Sequence, residues 1–229
     1  MTMLQRVQIY AGCTVFAGAL TLAAAAVQWN NFSISSFLIC LLLALIAATF
    51  KVTIPGLNSC ITPSFVPIFL ALGSMGWQET VVIAALAGLV QSIWQPKQGR
   101  LTNLQILFNA ATLALASGSA YAVSHAVAAP KSLGLFLVAA TVFQLVNVLT
   151  VSGVLCLVAE DSLRRIWQNC HFWSYPYHLA GAGLAAVWSQ TESATTTGSL
   201  AVLCAVTLYM MSAFYGELTK RVGLPAKTA

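Results

Sequence analysis

The chain has 229 residues, of which 59% are hydrophobic and only 7% are charged. A soluble domain carries about a quarter charged residues, so this chain has too few charges to cover a surface that faces water. We therefore predict an all-α integral membrane protein with the lipid bilayer as its solvent. Ten Lys and Arg stand against five Asp and Glu, but the basic residues lie at the ends of apolar runs, where membrane topology explains them. The excess of positive charge does not indicate nucleic-acid binding.

Apolar runs of about 20 residues, the length that a membrane-spanning helix needs, recur along the whole chain. They predict a polytopic transmembrane helix bundle of seven or eight spans, with residues 1–229 as a single membrane domain. The eighth, optional span is a short helix preceded by an irregular segment with prolines and a glycine. In chain order the candidate spans are 7–27, 34–52, 63–77 (the short one), 79–95, 103–125, 133–158, 173–190 and 198–217.

The first span has two interpretations. A basic residue, an apolar run and the three alanines at 24–26 resemble a secretory signal peptide with its cleavage site. The apolar run is long for a signal peptide, and the sequence predicts no soluble domain after it. We favour a retained helix.

Small residues recur at helical spacing on this first span, in the pairs Ala19-x-x-x-Ala23 and Thr21-x-x-x-Ala25. Small residues four positions apart let two helices approach closely in a membrane. We therefore predict Ala19 and Ala23 as candidates for contact with a partner protein.

The stretch FKVTIPGLNSCITPSFVPIFLALGSMGW, residues 50–77, decides the topology of the chain. We predict that residues 53–62 form an irregular connection and that 63–77 form a short crossing helix tucked against its neighbours. Fifteen helical residues reach about 22 Å, against about 30 Å of hydrocarbon. Pro63 suits the first helical turn, and Pro67 falls where it removes at most one intrahelical hydrogen bond. The alternative is an ordinary cytoplasmic loop followed by a short span.

The distribution of basic residues favours eight spans over seven. If 63–77 crosses and the N-terminus is inside, nine of the ten basic residues lie inside and only Lys131 lies outside. If it does not cross, the best arrangement has seven inside and three outside. The positive-inside rule is obeyed better by the first arrangement. It predicts a multi-pass protein of a bacterial inner membrane with a cytoplasmic C-terminus.

Uncharged polar residues inside the spans are the candidates for a ligand site: Gln91, Asn109, Gln144, Asn147 and His178. They are expected to turn away from lipid, because an unpaired amide in hydrocarbon costs several kcal/mol. One interpretation is a pocket that hydrogen-bonds a small, largely apolar ligand. The alternative is interhelical hydrogen bonding, worth roughly 0.6–2 kcal/mol per bond. Gln144 and Asn147 are the first choice, because they lie deepest and share a face.

The sequence contains none of the familiar motifs of catalysis. It has no phosphate-binding loop, no H-E-x-x-H, no G-x-S-x-G and no paired intramembrane carboxylates. Its six cysteines are scattered without a C-x-x-C pair, so we predict no metal and no cofactor. Glu79 and Glu217 lie at span ends rather than at mid-membrane, which argues against a simple proton- or sodium-coupled pump. We predict that the protein is not an enzyme.

The most charged stretch is AEDSLRRIWQNCHF, residues 159–172. The pairs Glu160 with Arg164 and Asp161 with Arg165 have i,i+4 spacing, which supports a helix. We predict a short helix on the cytoplasmic membrane surface. Arg164 and Arg165 are candidates for docking a separate cytoplasmic subunit, and the alternative is a solvated connection that anchors the topology.

Three stretches, KVTIPG, SFVPIFLALGSMGWQETVVIAALAGLVQSIW and LFNAATLAL, lie between Lys51 and Leu115. This part of the chain resembles the multi-span N-terminal sensor region of bacterial cyclic-di-nucleotide signalling proteins. In those proteins a membrane bundle precedes a diguanylate cyclase or an HD-type phosphohydrolase. The sequence predicts no such output domain after Glu217, so the resemblance implies a stand-alone sensor bundle whose output comes from a separate partner.

A weaker resemblance is to the substrate-binding membrane subunits of energy-coupling-factor vitamin transporters. These share an irregular segment before a short helix, and small-residue spacing on the first helix for contact with the coupling subunit. In place of their glycine-proline signature this chain has Gly76-Trp77-Gln78. We therefore predict a non-catalytic, sensor-like or ligand-binding membrane bundle, with a substrate-binding transporter subunit as the alternative.

Overall fold

A computed structural model describes residues 2–29, 33–50, 52–53, 60–94, 101–159, 162 and 174–190. This part of the chain is helical, as predicted, and an α-helix stands at each of the first seven predicted spans. The eighth predicted span, 198–217, and the predicted surface helix within 159–172 lie outside the described residues, apart from Ala159 and Ser162. The helices are α1 Met3–Val27, α2 Ile34–Thr49, α3 Phe65–Ser74, α4 Trp77–Ile93, α5 Asn103–Val127, α6 Leu133–Ala159 and α7 Tyr175–Ser189.

Three of these helices, α1, α5 and α6, are long and apolar enough to cross a membrane. Their lengths of 25, 25 and 27 residues correspond to about 37–40 Å at 1.5 Å per residue. Helices α2, α3 and α4 are shorter but also apolar. Large apolar side chains remain exposed on the outside of the bundle, as lipid would require, including Ile9, Phe16, Leu20, Leu38, Leu42, Ile46, Leu145 and Leu149.

Local sequence sets where the longest helices begin. Thr2 precedes α1 and Thr102 precedes α5, and each hydroxyl accepts a hydrogen bond from the backbone N–H of a glutamine three residues on. The side chains of those glutamines, Gln5 and Gln105, accept hydrogen bonds from the backbone N–H of the capping threonines. This reciprocal capping box satisfies two backbone donors that a helix start leaves unpaired.

The short helix α3 is the most deeply enclosed element of the described bundle. All eight residues from Phe65 to Leu72 are buried, and α3 packs against α2, α4, α6 and α7. It is shorter than the predicted 63–77, because the backbone of Met75 is extended and ends the helix. Gly76 is then the N-cap of α4. Its ten residues reach about 15 Å, half the thickness of the hydrocarbon core.

The connection before α3 has a feature that the sequence did not predict. Val52 and Thr53 pair in antiparallel register with Ile61 and Cys60, although an irregular segment was expected over 53–62. Residues 54–59 between these two-residue strands lie outside the described part of the chain. The pairing brings the end of α2 close to the start of α3.

Small residues set the distances between the long helices. A Cβ placed on Gly18 of α1 would lie 2.6 Å from the Cα of Ala111 in α5, so the two backbones touch. On the other side of α5, a Cβ on Gly88 of α4 would lie 3.0 Å from the Cα of Ala110. Such contacts are the usual way in which membrane helices gain dispersion energy.

The contacts along these helices also give their directions. Thr21 of α1 meets Gly118 of α5 while Gly18 meets Ala111, so α1 and α5 run the same way. Ser92 near the end of α4 bonds to Asn109 near the start of α5, so α4 runs in the opposite direction. Helices α1 and α4 therefore pack on α5 in opposite directions.

Candidate functional site

A polar cluster lies at the junction of α6 and α7, inside the bundle. Gln144 of α6 donates from Nε2 to the Oγ of Ser174, the residue that precedes α7. His178, one turn into α7, uses Nδ1 to bond the backbone carbonyl of Ser174 at 2.9 Å. All three residues are at most 7% exposed. Two of the predicted site residues, Gln144 and His178, are thus joined through Ser174.

The hydrogen bonds define what this cluster can offer a ligand. A carbonyl oxygen can only accept, so Nδ1 of His178 carries the proton. In a neutral imidazole the other ring nitrogen is then an acceptor, and Nε2 of His178 can receive a hydrogen bond from a hydroxyl or an N–H group. The same ring cannot serve as a base for Ser174, because its contact with that residue is to the backbone.

Aromatic rings from two other helices surround the imidazole. The ring centroid of Phe65 in α3 lies 4.5 Å from that of His178, and the centroid of Phe143 in α6 lies 5.9 Å from it. Phe69 of α3 completes the set, with its centroid 5.5 Å from Phe143 in an edge-to-face arrangement. The polar cluster therefore has an apolar, aromatic wall.

Two glycines make room for aromatic rings at the ends of α3. A Cβ on Gly181 of α7 would lie 2.7 Å from Cδ2 of Phe65, so the phenyl ring occupies the space that a side chain would fill. At the other end of α3, a Cβ on Gly73 would lie 2.6 Å from Cε1 of Phe136 in α6. At one end of α3, the ring of Phe65 thus packs on Gly181 of α7. At the other end, the ring of Phe136 from α6 packs on Gly73.

Two of the three remaining predicted amides, Gln91 and Asn109, belong to a second group at the end of α4. Thr62 donates to the Oε1 of Gln91 at 2.9 Å and lies 3.0 Å from the hydroxyl of Ser64. The next residue of α4, Ser92, accepts a hydrogen bond from the Nδ2 of Asn109 at 3.0 Å and donates one to the backbone carbonyl of Gly88. Asn109 therefore bonds across to α4, Gln91 bonds to the segment that leads into α3, and neither residue meets Gln144.

Asn147 differs from its predicted partner. It is only partly buried, whereas Gln144 is 5% exposed, and its side chain makes no hydrogen bond to any residue that the structure describes. The structure therefore joins Gln144 with Ser174 and His178 rather than with Asn147.

The candidate partner contacts fall on different surfaces. Ala19 and Ala23 are exposed on the outside of α1. The second small pair faces inward, since Ala25 is fully buried and Thr21 contacts α5. Arg164 and Arg165 lie outside the described residues.

Two residues of this bundle escaped the sequence reasoning. Ser174 looks like any other serine, and only its bond to Gln144 singles it out. Glu79 was expected at a span end, and it does lie in the first turn of α4, but it is buried at 4% exposure. Its position three residues after Gly76 is the only signal that the sequence offers.

Comparisons with protein-family models, with curated proteins and with solved structures give no match for this chain. Its function must therefore be argued from its own residues.

Proposed function

We propose that this protein is a non-catalytic integral membrane bundle that binds a small, largely apolar ligand at the cluster of Gln144, Ser174 and His178. The observation that carries the proposal is the combination of a hydrogen-bond acceptor, Nε2 of His178, with the aromatic wall of Phe65 and Phe143. Ligand sites are typically apolar with a few converging polar groups. A molecule with one hydroxyl or N–H group and an apolar body matches this chemistry.

Small molecules that co-purify with the protein test the proposal. The wild type, Gln144→Leu and His178→Phe would be purified from membranes in mild detergent, extracted and compared by mass spectrometry. Gln91→Leu is the matched control, because it removes a partly buried hydrogen bond of another side-chain amide, in the second polar group. We expect a compound that is enriched with the wild type and the control and lost from the other two variants.

Other outcomes would contradict the ligand site. Equal enrichment in all four proteins, or no enriched compound in any, would leave the cluster with a role in helix packing alone. The same would hold if Gln144→Leu and Gln91→Leu both lowered the melting temperature while the extracts stayed identical.

The proposal includes the topology derived from charge: eight spans in a bacterial inner membrane, with the C-terminus in the cytoplasm. It is supported by the hydrogen bonds from Trp77 and Gln78, at the start of α4, to Gln28, just after the end of α1. These bonds place the end of α1 and the start of α4 at the same end of the bundle, as two crossings between them require. Single cysteines at Asn58 and Gln98, in a background without the native cysteines, test it with a reagent that cannot cross membranes. Both should be shielded in intact cells, and labelling at Gln98 alone would overturn the eight-span arrangement.

A substrate-binding transporter subunit is the second candidate, favoured by the exposure of Ala19 and Ala23 on α1. In a gentle-detergent pull-down we expect Ala23→Leu to lose a protein partner that Ala122→Leu keeps. Ala122 is the matched control, because it is an exposed alanine on α5. An ATPase with a coupling membrane subunit would indicate transport, whereas a kinase, cyclase or phosphohydrolase would indicate sensing. Identical partners in both variants would exclude this face of α1 as the contact.

A further inference from the structure

Glu79 is the only acidic residue in the part of the chain that the structure describes. It lies in the first turn of α4 and is 4% exposed. Its Oε2 atom is buried and accepts no hydrogen bond, and the carboxylate makes no ion pair with any described residue. A buried charge without a partner is costly by several kcal/mol, so this position calls for a compensating group.

A second acceptor faces the same place. A Cβ on Gly76 would lie 2.5 Å from Oε1 of Gln78 and 2.6 Å from Oε2 of Glu79. Both oxygens therefore converge on the space beside the Gly76 backbone, which only a residue without a side chain leaves open. Neither oxygen receives a hydrogen bond from a described residue.

The orientation of the Gln78 amide is fixed by α1. Its Nε2 donates to the backbone carbonyl of Gln28 at 2.8 Å, just after the end of α1. The indole of Trp77 donates to the Oε1 of Gln28 at 3.2 Å and holds the same corner. Because the nitrogen of Gln78 is committed to α1, its oxygen is turned toward Glu79.

The described groups around the carboxylate do not compensate it. The positive end of the α4 dipole lies at this end of the helix, but no backbone N–H of the first turn bonds to Oε2.

We propose that Oε2 of Glu79 and Oε1 of Gln78 form a binding site for a monovalent cationic group at the start of α4. One carboxylate and one neutral amide oxygen carry a single negative charge, which would leave one charge of a divalent cation such as Ca²⁺ without compensation. The same charge balances a monovalent cation: Na⁺, K⁺ or a ligand ammonium. The proposal is independent of the ligand site, because Gln78 and Glu79 lie on α4, whereas Gln144 lies on α6 and Ser174 and His178 lie at the start of α7.

Thermal unfolding of the full chain in detergent tests the site. NaCl, KCl or methylammonium chloride would replace N-methylglucamine chloride at constant ionic strength, so that only the cation changes. We expect a melting temperature that rises with the logarithm of the concentration of at least one of these cations once that concentration exceeds the dissociation constant. At ten times the dissociation constant the rise should be about 3–6 °C. A response to Na⁺ or K⁺ would indicate an inorganic ion, and a response to methylammonium alone would indicate an organic ammonium.

Two variants complete the test. Glu79→Gln keeps the shape of the side chain and should abolish the cation-dependent rise. Glu160→Gln makes the same chemical change at a residue outside the described part of the chain. This variant should keep the cation-dependent rise in melting temperature. No rise with any cation, or an equal rise in the wild type and Glu79→Gln, would overturn the proposal.

A measurement on the wild type keeps the proposal testable if Glu79→Gln does not fold. Dicyclohexylcarbodiimide reacts with carboxyl groups in apolar surroundings, and mass spectrometry of the resulting peptides locates the modified residue. We expect modification at Glu79 that slows severalfold in the presence of the stabilising cation. Modification that is absent, or that proceeds at the same rate with and without the cation, would contradict the site.

Discussion

The contact between α1 and α5 yields the sharpest stability prediction. Gly18→Ala would place a Cβ 2.6 Å from the Cα of Ala111 and 3.2 Å from its carbonyl oxygen. Carbon atoms prefer separations of about 3.5–4.0 Å, and these are backbone atoms that cannot rotate away. The two helices must therefore move apart by about 1 Å along this crossing.

Gly12 on the same helix supplies a matched control. A Cβ at Gly12 meets nothing within 4 Å. Gly12→Ala should therefore show only the gain in helix propensity, about 0.5–1 kcal/mol. Gly18→Ala has the same gain, but overpacking costs about 1–3 kcal/mol. The difference in the free energy of unfolding between the two variants therefore measures the cost of overpacking at the contact of Gly18 with Ala111.

Thermal unfolding followed by tryptophan fluorescence in detergent measures that difference. A contact worth about 1–3 kcal/mol should separate the two melting temperatures by about 2–12 °C in a chain of this size, with Gly18→Ala the lower. A Gly18→Ala protein that melts at or above Gly12→Ala would refute the packing of α1 on α5. A lower melting temperature for Gly18→Ala would also show that the first span is retained, because removal of a signal peptide would leave both variants with the same mature chain.

Two further predictions concern α3 and its approach. Phe69→Ala should lower the free energy of unfolding by about 3 kcal/mol, at the low end for buried phenylalanine because lipid rather than water is the surrounding solvent. Phe16→Ala, 66% exposed on α1, should change it by less than about 0.5 kcal/mol, and equal effects would place Phe69 outside the core. Thr62→Val should cost about 1 kcal/mol by removing its bond to Gln91. In a double-mutant cycle, adding Gln91→Leu should cost little more, and full additivity would mean that the bond is absent.

The positions of the helices could be predicted from the sequence, but the sides that they bury could not. Long apolar runs mark a span wherever lipid is the solvent, so α1, α5 and α6 were expected within a few residues of their observed bounds. Helices that are apolar on every side carry little information about which side faces inward. In α1, Gly18 and Ala25 face inward while Ala19 and Ala23 face outward, although all four are small.

The candidate site could be predicted only in part, for a similar reason. Gln144 and His178 stand out as polar groups in apolar runs, so each was expected to turn inward. Their meeting depends on Ser174, which lies 30 residues beyond Gln144 and which no local pattern distinguishes. Asn147 was paired with Gln144 by its spacing, but three residues along a helix leave about 60° between two side chains. That rotation places Asn147 near the edge of the buried face.

The burial of α3 links its shape to the proposed site. Where lipid surrounds a bundle, burying apolar side chains gains little, because the lipid tails are equally apolar. The position of α3 must therefore depend on fit, and its fit is provided by Phe65 on Gly181 and by Gly73 under Phe136. Phe65 also contacts His178, so the ring that packs α3 against α7 is part of the wall of the polar cluster. A ligand that displaces this ring would change the packing of α3 directly, which gives a binding event a structural consequence without any catalytic group.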